Sequence, residues 1–366
     1  MSQSSSSGAY PSLAANPARG QNQYPDVISH DASPVLALLE QCPAYQPTPL
    51  HDHQDLATQF GVAKLWIKDE STRMNLGSFK ALGAAYVVAK MAMDAMAEHN
   101  NDDYSTALKG VNVLAASAGN HGLSLAAGAK IFGAKATIYL SASVPESFAE
   151  RLRGIGAEVI RHGDVYEESM AKALADSEAG KGLLISDTSW PEYRDVPYQI
   201  MEGYLVMGKE ATDALDAAGE TPTHIFLQAG VGGLSSAMAR WCRRHYGDAP
   251  VIINVEPEDA RPLQASLMAG EMISVTGGVS IMGRLDCKDA SELAFKALSD
   301  DADYAQAISE SDAEATTALL ASKGLSSSPS GIAGISALQH LSPEDRATLG
   351  INDQSRVLTF MSEGEA

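Results

Sequence analysis

The sequence predicts an α/β fold of open, mostly parallel sheets with helices on both faces. Three observations lead there. Short apolar runs alternate with helical periods from Val111 onward. Two glycine turns, at Gly119–Gly122 and Gly230–Gly233, each follow a strand-like run and open a helix-like one. At 366 residues the chain is too long for one small core, which favours two domains.

The elements follow in order. Val111–Ala115 reads as a buried strand, Gly119–Gly122 as a turn and Leu123–Ile131 as a helix. Lys135–Leu140 is the next strand. Pro145 presets the backbone for a helix to about Arg153, closed by Gly154 and Gly156. Ala157–Arg161 is a strand, 167–179 a helix and Leu183–Ser186 another strand. A long helix over 197–218 leads to the strand His224–Gln228, the second glycine turn and a helix over Leu234–Tyr246. Val251–Val255 and Arg356–Phe360 are strands. Residues 258–309 read as less regular, with Val275–Gly283 a loop holding a short helix. Residues 1–24 are rich in Ser, Ala, Asn, Gln and Pro, which predicts a disordered tail. They lack the basic start and apolar run of a secretory signal.

Composition narrows the partners. The 46 acidic residues against 26 basic ones give a formal net charge of −20, a field that repels nucleic acid and anionic membrane. No apolar run approaches membrane-spanning length, so a cytoplasmic protein is expected. Cys42, Cys242 and Cys287 lie far apart without ligand spacing, so no metal site is expected.

Chemistry concentrates at four places. Lys80 follows the small-residue turn of Leu76-Gly-Ser-Phe and precedes the apolar run Ala81–Ala89. Burial disfavours its charge, which would make the amine a nucleophile able to hold an aldehyde as a Schiff base. The alternative is a stem on apolar surface with its head in water. Gln228-Ala-Gly-Val-Gly-Gly-Leu234 is a phosphate cradle: glycines admit an anion to the N-terminus of a helix. It lacks the spacing that a dinucleotide needs. Ser117-Ala-Gly-Asn-His121 is a second turn, whose Ser117, Asn120 and amides suit a carboxylate or phenolic oxygen. His121 alone reads as structural. Asp187, just past a strand, is either a general acid or base or a helix cap. An imine lysine with a phosphate cradle suits pyridoxal 5'-phosphate.

From about Ala44 onward the chain resembles the fold-type II pyridoxal-phosphate enzymes, the group of the tryptophan synthase β-subunit and threonine dehydratase. Within that group it is most similar to the diaminopropionate ammonia-lyases. The resemblance rests on Pro47-Thr-Pro-Leu50, Lys68-Asp-Glu-Ser71, Leu76–Lys80, Ser186-Asp-Thr-Ser-Trp190, Ile200-Met-Glu-Gly-Tyr204, Gln228–Leu234, Val255-Glu-Pro-Glu258, Ser280-Ile-Met-Gly283 and Ser362-Glu-Gly364. It implies that Lys80 binds the cofactor and Phe79 packs near its ring. Asn120 would bond the phenolic oxygen, Gly230, Val231, Gly232, Gly233 and Leu234 the phosphate, and Ser362 would face the ring nitrogen. Ser117, Asn120 and His121 would hold the substrate carboxylate, with Asp187 near the leaving amine.

The implied architecture is a large domain (25–92 and 199–366) and a small one (93–198), with the cofactor between them, in a homodimer. The implied activity is α,β-elimination from a small amino acid, 2,3-diaminopropionate, to pyruvate and ammonia. One position departs from the family. Ala118 stands where the ammonia-lyases carry an aspartate thought to serve the D-isomer. That favours L-selectivity, or an L-serine or L-threonine dehydratase instead.

Overall fold

The computed structural model describes residues 10–100, 102–117 and 119–365. Ala118 and the first nine residues lie outside the described ones. Eleven strands are present among them: β1 (Leu13–Ala15), β2 (Leu50–Asp52), β3 (Lys64–Asp69), β4 (Asn112–Ala116), β5 (Lys135–Leu140), β6 (Glu158–Arg161), β7 (Leu183–Leu184), β8 (His224–Gln228), β9 (Val251–Pro257), β10 (Tyr304–Ile308) and β11 (Arg356–Met361).

Packing divides the chain into two compact units, Met1–His30 with Thr48–Ser71 and Met207–Ala366, and Asp31–Pro47 with Thr72–Val206. Residues 31–47, 72–92 and 199–206, expected in the larger domain, therefore fall in the second unit. The reason is close helix packing. A Cβ on Gly128, in the helix Asn120–Ile131, would lie 3.1 Å from Ala85 Cα in the helix Ala84–His99.

The first unit holds a seven-stranded sheet, ordered β1-β10-β9-β8-β11-β3-β2. Its five inner strands run parallel, and β1 and β2 join antiparallel at the edges. Every residue of β8 is buried, as a parallel strand covered on both faces requires. Leu65, Ile67, Phe226, Ile253 and Val357 meet Ile335 and Leu338 in its core. The second unit holds a four-stranded parallel sheet, β6-β5-β4-β7, whose core includes Leu114, Tyr139, Leu184 and Ala173. In a parallel sheet all carboxyl ends share one edge, which is where such folds bind ligands.

The disordered tail is corrected for residues 10–24. β1 pairs with β10, and the Asn16 side-chain amide donates to the carbonyls of Leu298, Ser299 and Ala302 at 3.1, 3.0 and 2.7 Å. They lie at the end of the helix Glu292–Asp301, where carbonyls run out of donors within the helix, although that of Leu298 also accepts from the Ala302 amide at 3.0 Å. Arg19 Nε donates to Asp303 at 2.9 Å. Polar composition does not preclude order once each polar group meets a partner. Val275–Gly283 is a loop without the expected short helix, while β10 and the helix Pro262–Ala269 give the neighbouring region more regularity than predicted.

Candidate active site

Lys80 sits in a single 3-10 turn, Phe79–Leu82, not at the start of a continuous helix. Ser78 caps that turn, its hydroxyl accepting from the Lys80 amide at 3.2 Å. The chain reaches it through left-handed backbone at Met74 and Asn75, φ 48° and 58°, a conformation L-residues adopt only under local constraint. The turn is held by the long helix Asp195–Ala218. A Cβ on Gly203 would stand 2.0 Å from the Leu82 carbonyl oxygen, so only glycine admits this crossing. The Tyr204 ring lies 4.8 Å from that of Phe79, and the Lys80 ammonium is 5.1 and 5.6 Å from the two centroids. The Gly-Tyr pair was legible only as part of a family motif. An interior helical glycine, which costs about 1 kcal/mol against alanine, was the available signal of a close backbone approach.

The Lys80 ammonium donates to Asp187 Oδ2 at 2.5 Å, both side chains keeping about a fifth of their exposure (22% and 19%). This corrects the expected amine. Burial does act to lower the lysine's pKa, but the Asp187 charge, with the Tyr204 phenol, outweighs it and holds the group well above its ordinary value. Burial likewise acts to raise Asp187, and the charge and hydrogen bond of Lys80 overcome it, holding the carboxyl well below the usual range. Burial pushes the Tyr204 phenol up to about 12, against the pull of the Lys80 charge. The resting pair is thus an ion pair, and the amine becomes a base only after that partnership changes.

The turn at the exit of β4 contributes the next pieces. Ser117 Oγ accepts from the amides of Gly119 and Gly122 at 3.2 and 3.0 Å and so shapes the turn. Asn120 is the first residue of the following helix. His121 is buried, and its Nε2 donates to the Ile185 carbonyl at 2.7 Å. Its Nδ1 is then the bare lone pair, with no hydrogen-bond partner among the described residues. Burial lowers the ring's pKa and keeps it neutral, although Asp187 acts the other way. The second unit therefore brings Lys80, Phe79, Asp187 and His121 together, and adds Tyr204, which the sequence reading had not singled out for the site.

The first unit carries the remaining predicted residues. Gly230, Val231 and Gly232 link β8 to the helix Gly233–Tyr246, whose first turn includes Leu234. Gly232 has φ 102°, and a Cβ there would lie 2.7 Å from that of Ala294. The amides of such a first turn have no partner within the helix and face an anion favourably. Ser362 is buried just past β11. Gln228 ties these two places together: its Nε2 donates to the carbonyls of Gly331 and Phe360 at 2.9 and 3.0 Å, and Gly331 also accepts from the Ser362 amide at 3.0 Å. Two further motif residues are structural. Lys68, fully buried in β3, donates to the Thr48 carbonyl and to Glu210 at 2.6 Å each.

Each unit suits a part of pyridoxal phosphate: the second has an amine beside aromatic rings, and the first has a glycine turn at a helix N-terminus with a hydroxyl at the end of the adjoining strand. Comparison with known proteins agrees. Residues 42–363 match the family described as "Pyridoxal-phosphate dependent enzyme". The chain is 32% identical over 280 residues to the diaminopropionate ammonia-lyase of Salmonella typhimurium, covering 73% of this chain and 69% of that one. It is 29% identical over 342 residues to the enzyme of the same name from Escherichia coli K12, covering 88% and 85%. The crystal structure of the Escherichia coli enzyme with an aminoacrylate-PLP azomethine reaction intermediate superposes with a TM-score of 0.86 at 27% identity, covering 96% and 93%. The chain belongs to the pyridoxal-phosphate dependent enzyme family.

Proposed function

We propose that this protein catalyses α,β-elimination from L-2,3-diaminopropionate. One substrate and one water give one pyruvate and two ammonia. The observation that carries the reading is the Lys80–Asp187 contact at 2.5 Å. Asp187 is a carboxylate that rests against an ammonium. With its nitrogen committed to a bound cofactor, Lys80 would no longer offer that ammonium, and Asp187 would need another cation. The β-ammonium of diaminopropionate has the same charge and hydrogen-bond donors. A β-hydroxyl would leave the carboxylate without a counter-charge, which is costly in a partly buried site.

Bound cofactor supplies the electron sink that makes the Cα proton acidic. This chain's residues do the rest. Lys80, once free, takes the Cα proton with its amine. Asp187 holds the β-ammonium and orients it to leave. Ser117, Asn120 and His121 would form the turn for the α-carboxylate, and Asn120 would also bond the cofactor's phenolic oxygen. Gly230, Val231, Gly232, Gly233 and Leu234 would hold the phosphate, Phe79 would pack near the ring and Ser362 would face its nitrogen. A neutral hydroxyl there would leave that nitrogen less protonated, which would favour elimination over transamination. Ala118 has no group to take a proton, which supports turnover of the L-isomer alone.

The test is pyruvate and ammonia release from L- and D-2,3-diaminopropionate, with L-serine and L-threonine alongside. Turnover of the L-diamine above both hydroxy amino acids is expected. Turnover of L-serine or L-threonine with none of the diamine would overturn this reading in favour of a dehydratase, the alternative that Ala118 in a Ser-x-Gly-Asn-His stretch also suits.

A further inference from the structure

We infer that Tyr193 is a positioning residue for Asp187: its hydroxyl, together with the His121 ring, fixes the backbone just ahead of that carboxylate and so sets where it meets Lys80. The problem it solves is visible in the sheet. β7 is only two residues long, and its last sheet contact is the Ile185 amide donating to the Leu114 carbonyl at 2.8 Å. From there the chain is loop, yet Asp187 must be held against an ammonium 107 residues away.

Three bonds replace the missing ladder. The Tyr193 hydroxyl donates to the Leu184 carbonyl at 2.7 Å and accepts from the Ser186 amide at 3.0 Å. His121 Nε2 donates to the Ile185 carbonyl between them at 2.7 Å. Only a group that both donates and accepts can span Leu184 and Ser186, which is why a phenol and not a phenyl is required. Tyr193 is itself fixed. Its ring stacks on Trp190 at 4.4 Å between centroids and 17° between planes, and the two backbones exchange hydrogen bonds at 3.2 and 2.9 Å. Thr188, just past the carboxylate, donates its amide to Ser186 Oγ at 3.3 Å.

This inference rests on the proposed function only for what Asp187 does during turnover; the geometry it explains is independent of substrate. The test is accordingly made on cofactor-free full-length protein. Reductive methylation of Lys80 at pH 8, mapped by peptide mass spectrometry, reads the fraction of neutral amine. In Tyr193→Phe the carboxylate is less well held, and Lys80 is expected to react about tenfold faster, equivalent to about one pKa unit. In an Asp187→Asn background the same substitution is expected to add nothing. Unchanged reactivity in Tyr193→Phe would overturn the inference. So would an equal increase in both backgrounds, because a merely loosened fold raises access whatever residue 187 carries. If Tyr193→Phe does not fold, Trp190→Leu removes the stacking partner and keeps the phenol. It should then shift reactivity the same way by a smaller factor, and no shift there would equally overturn the assignment. A chain that prefers a hydroxy amino acid would leave all of these outcomes readable.

Discussion

Replacing Asp187 by Asn removes the charge facing Lys80 and keeps the shape. In the wild-type protein burial and the carboxylate act on the lysine in opposite directions, and the carboxylate prevails. Without it burial prevails. Breaking a buried ion pair by removing one partner costs about 3–5 kcal/mol. Both groups keep about a fifth of their exposure, so the lower end applies, about 3 kcal/mol, or about two pKa units. The Lys80 pKa should therefore fall by about that much, and its methylation at pH 8 should quicken by about a hundredfold. The linkage signs bound the window. The raised lysine stabilises the fold below its unfolded value and loses that only as pH rises through its folded one. The depressed carboxyl stabilises the fold above about pH 3.9 and loses that only as pH falls through its folded one. Between about pH 5 and 9 the variant's loss of stability in urea should hence be constant. Lys80 reactivity within twofold of wild type would refute the electrostatic argument.

Other expectations follow from single places. Glu256 is buried, its carboxyl pushed up to about 8 by burial against the opposing amides of Leu263 and Gln264, so the wild-type fold should lose stability as pH rises from about 4.5 to 8. Glu256→Gln should flatten the change in urea midpoint between pH 5 and 8, and an equal change in both proteins would contradict this. Gly203→Ala places a Cβ on the Leu82 carbonyl oxygen and should lower stability by about 3 kcal/mol or more, whereas Gly154→Ala, with open space and helical backbone, should be neutral or stabilising by up to about 1 kcal/mol; paired thermal melts decide. Asn16→Ala removes the side-chain donor shared by three carbonyls, of which that of Leu298 keeps the Ala302 amide, and should make the N-terminal arm markedly more sensitive to limited proteolysis at neutral pH, with the rest of the chain intact.

Several features were legible from local pattern. β5 and β8 begin and end where their apolar runs do, β6, β7, β9 and β11 differ from expectation by one or two residues at one end, and β4 is shifted by one residue. Gly156 closes its helix with φ 113°, as a terminal glycine predicts. β3 was missed because Lys64 and Lys68 flank its apolar centre. Nothing local reveals that Lys68 is fully buried, since the partners that make this tolerable are Thr48 and Glu210, far along the chain. β1 was missed for the same kind of reason: its order depends on β10 and on Asn16 reaching carbonyls more than 280 residues away.

The sequence by itself determined the turn chemistry: a glycine-rich cradle before a helix, a lysine after a small-residue turn, and the family these motifs mark. Those properties reside in consecutive residues, where backbone sterics and capping act. Only the tertiary structure decided the charge state of Lys80. Its solvent exposure, its aromatic flank and its partner Asp187 come from distant segments, and a pKa is set by neighbours in space. Local pattern pointed to a depressed amine; the fold, by bringing the exit of β7 to Lys80, made it a stable ammonium instead.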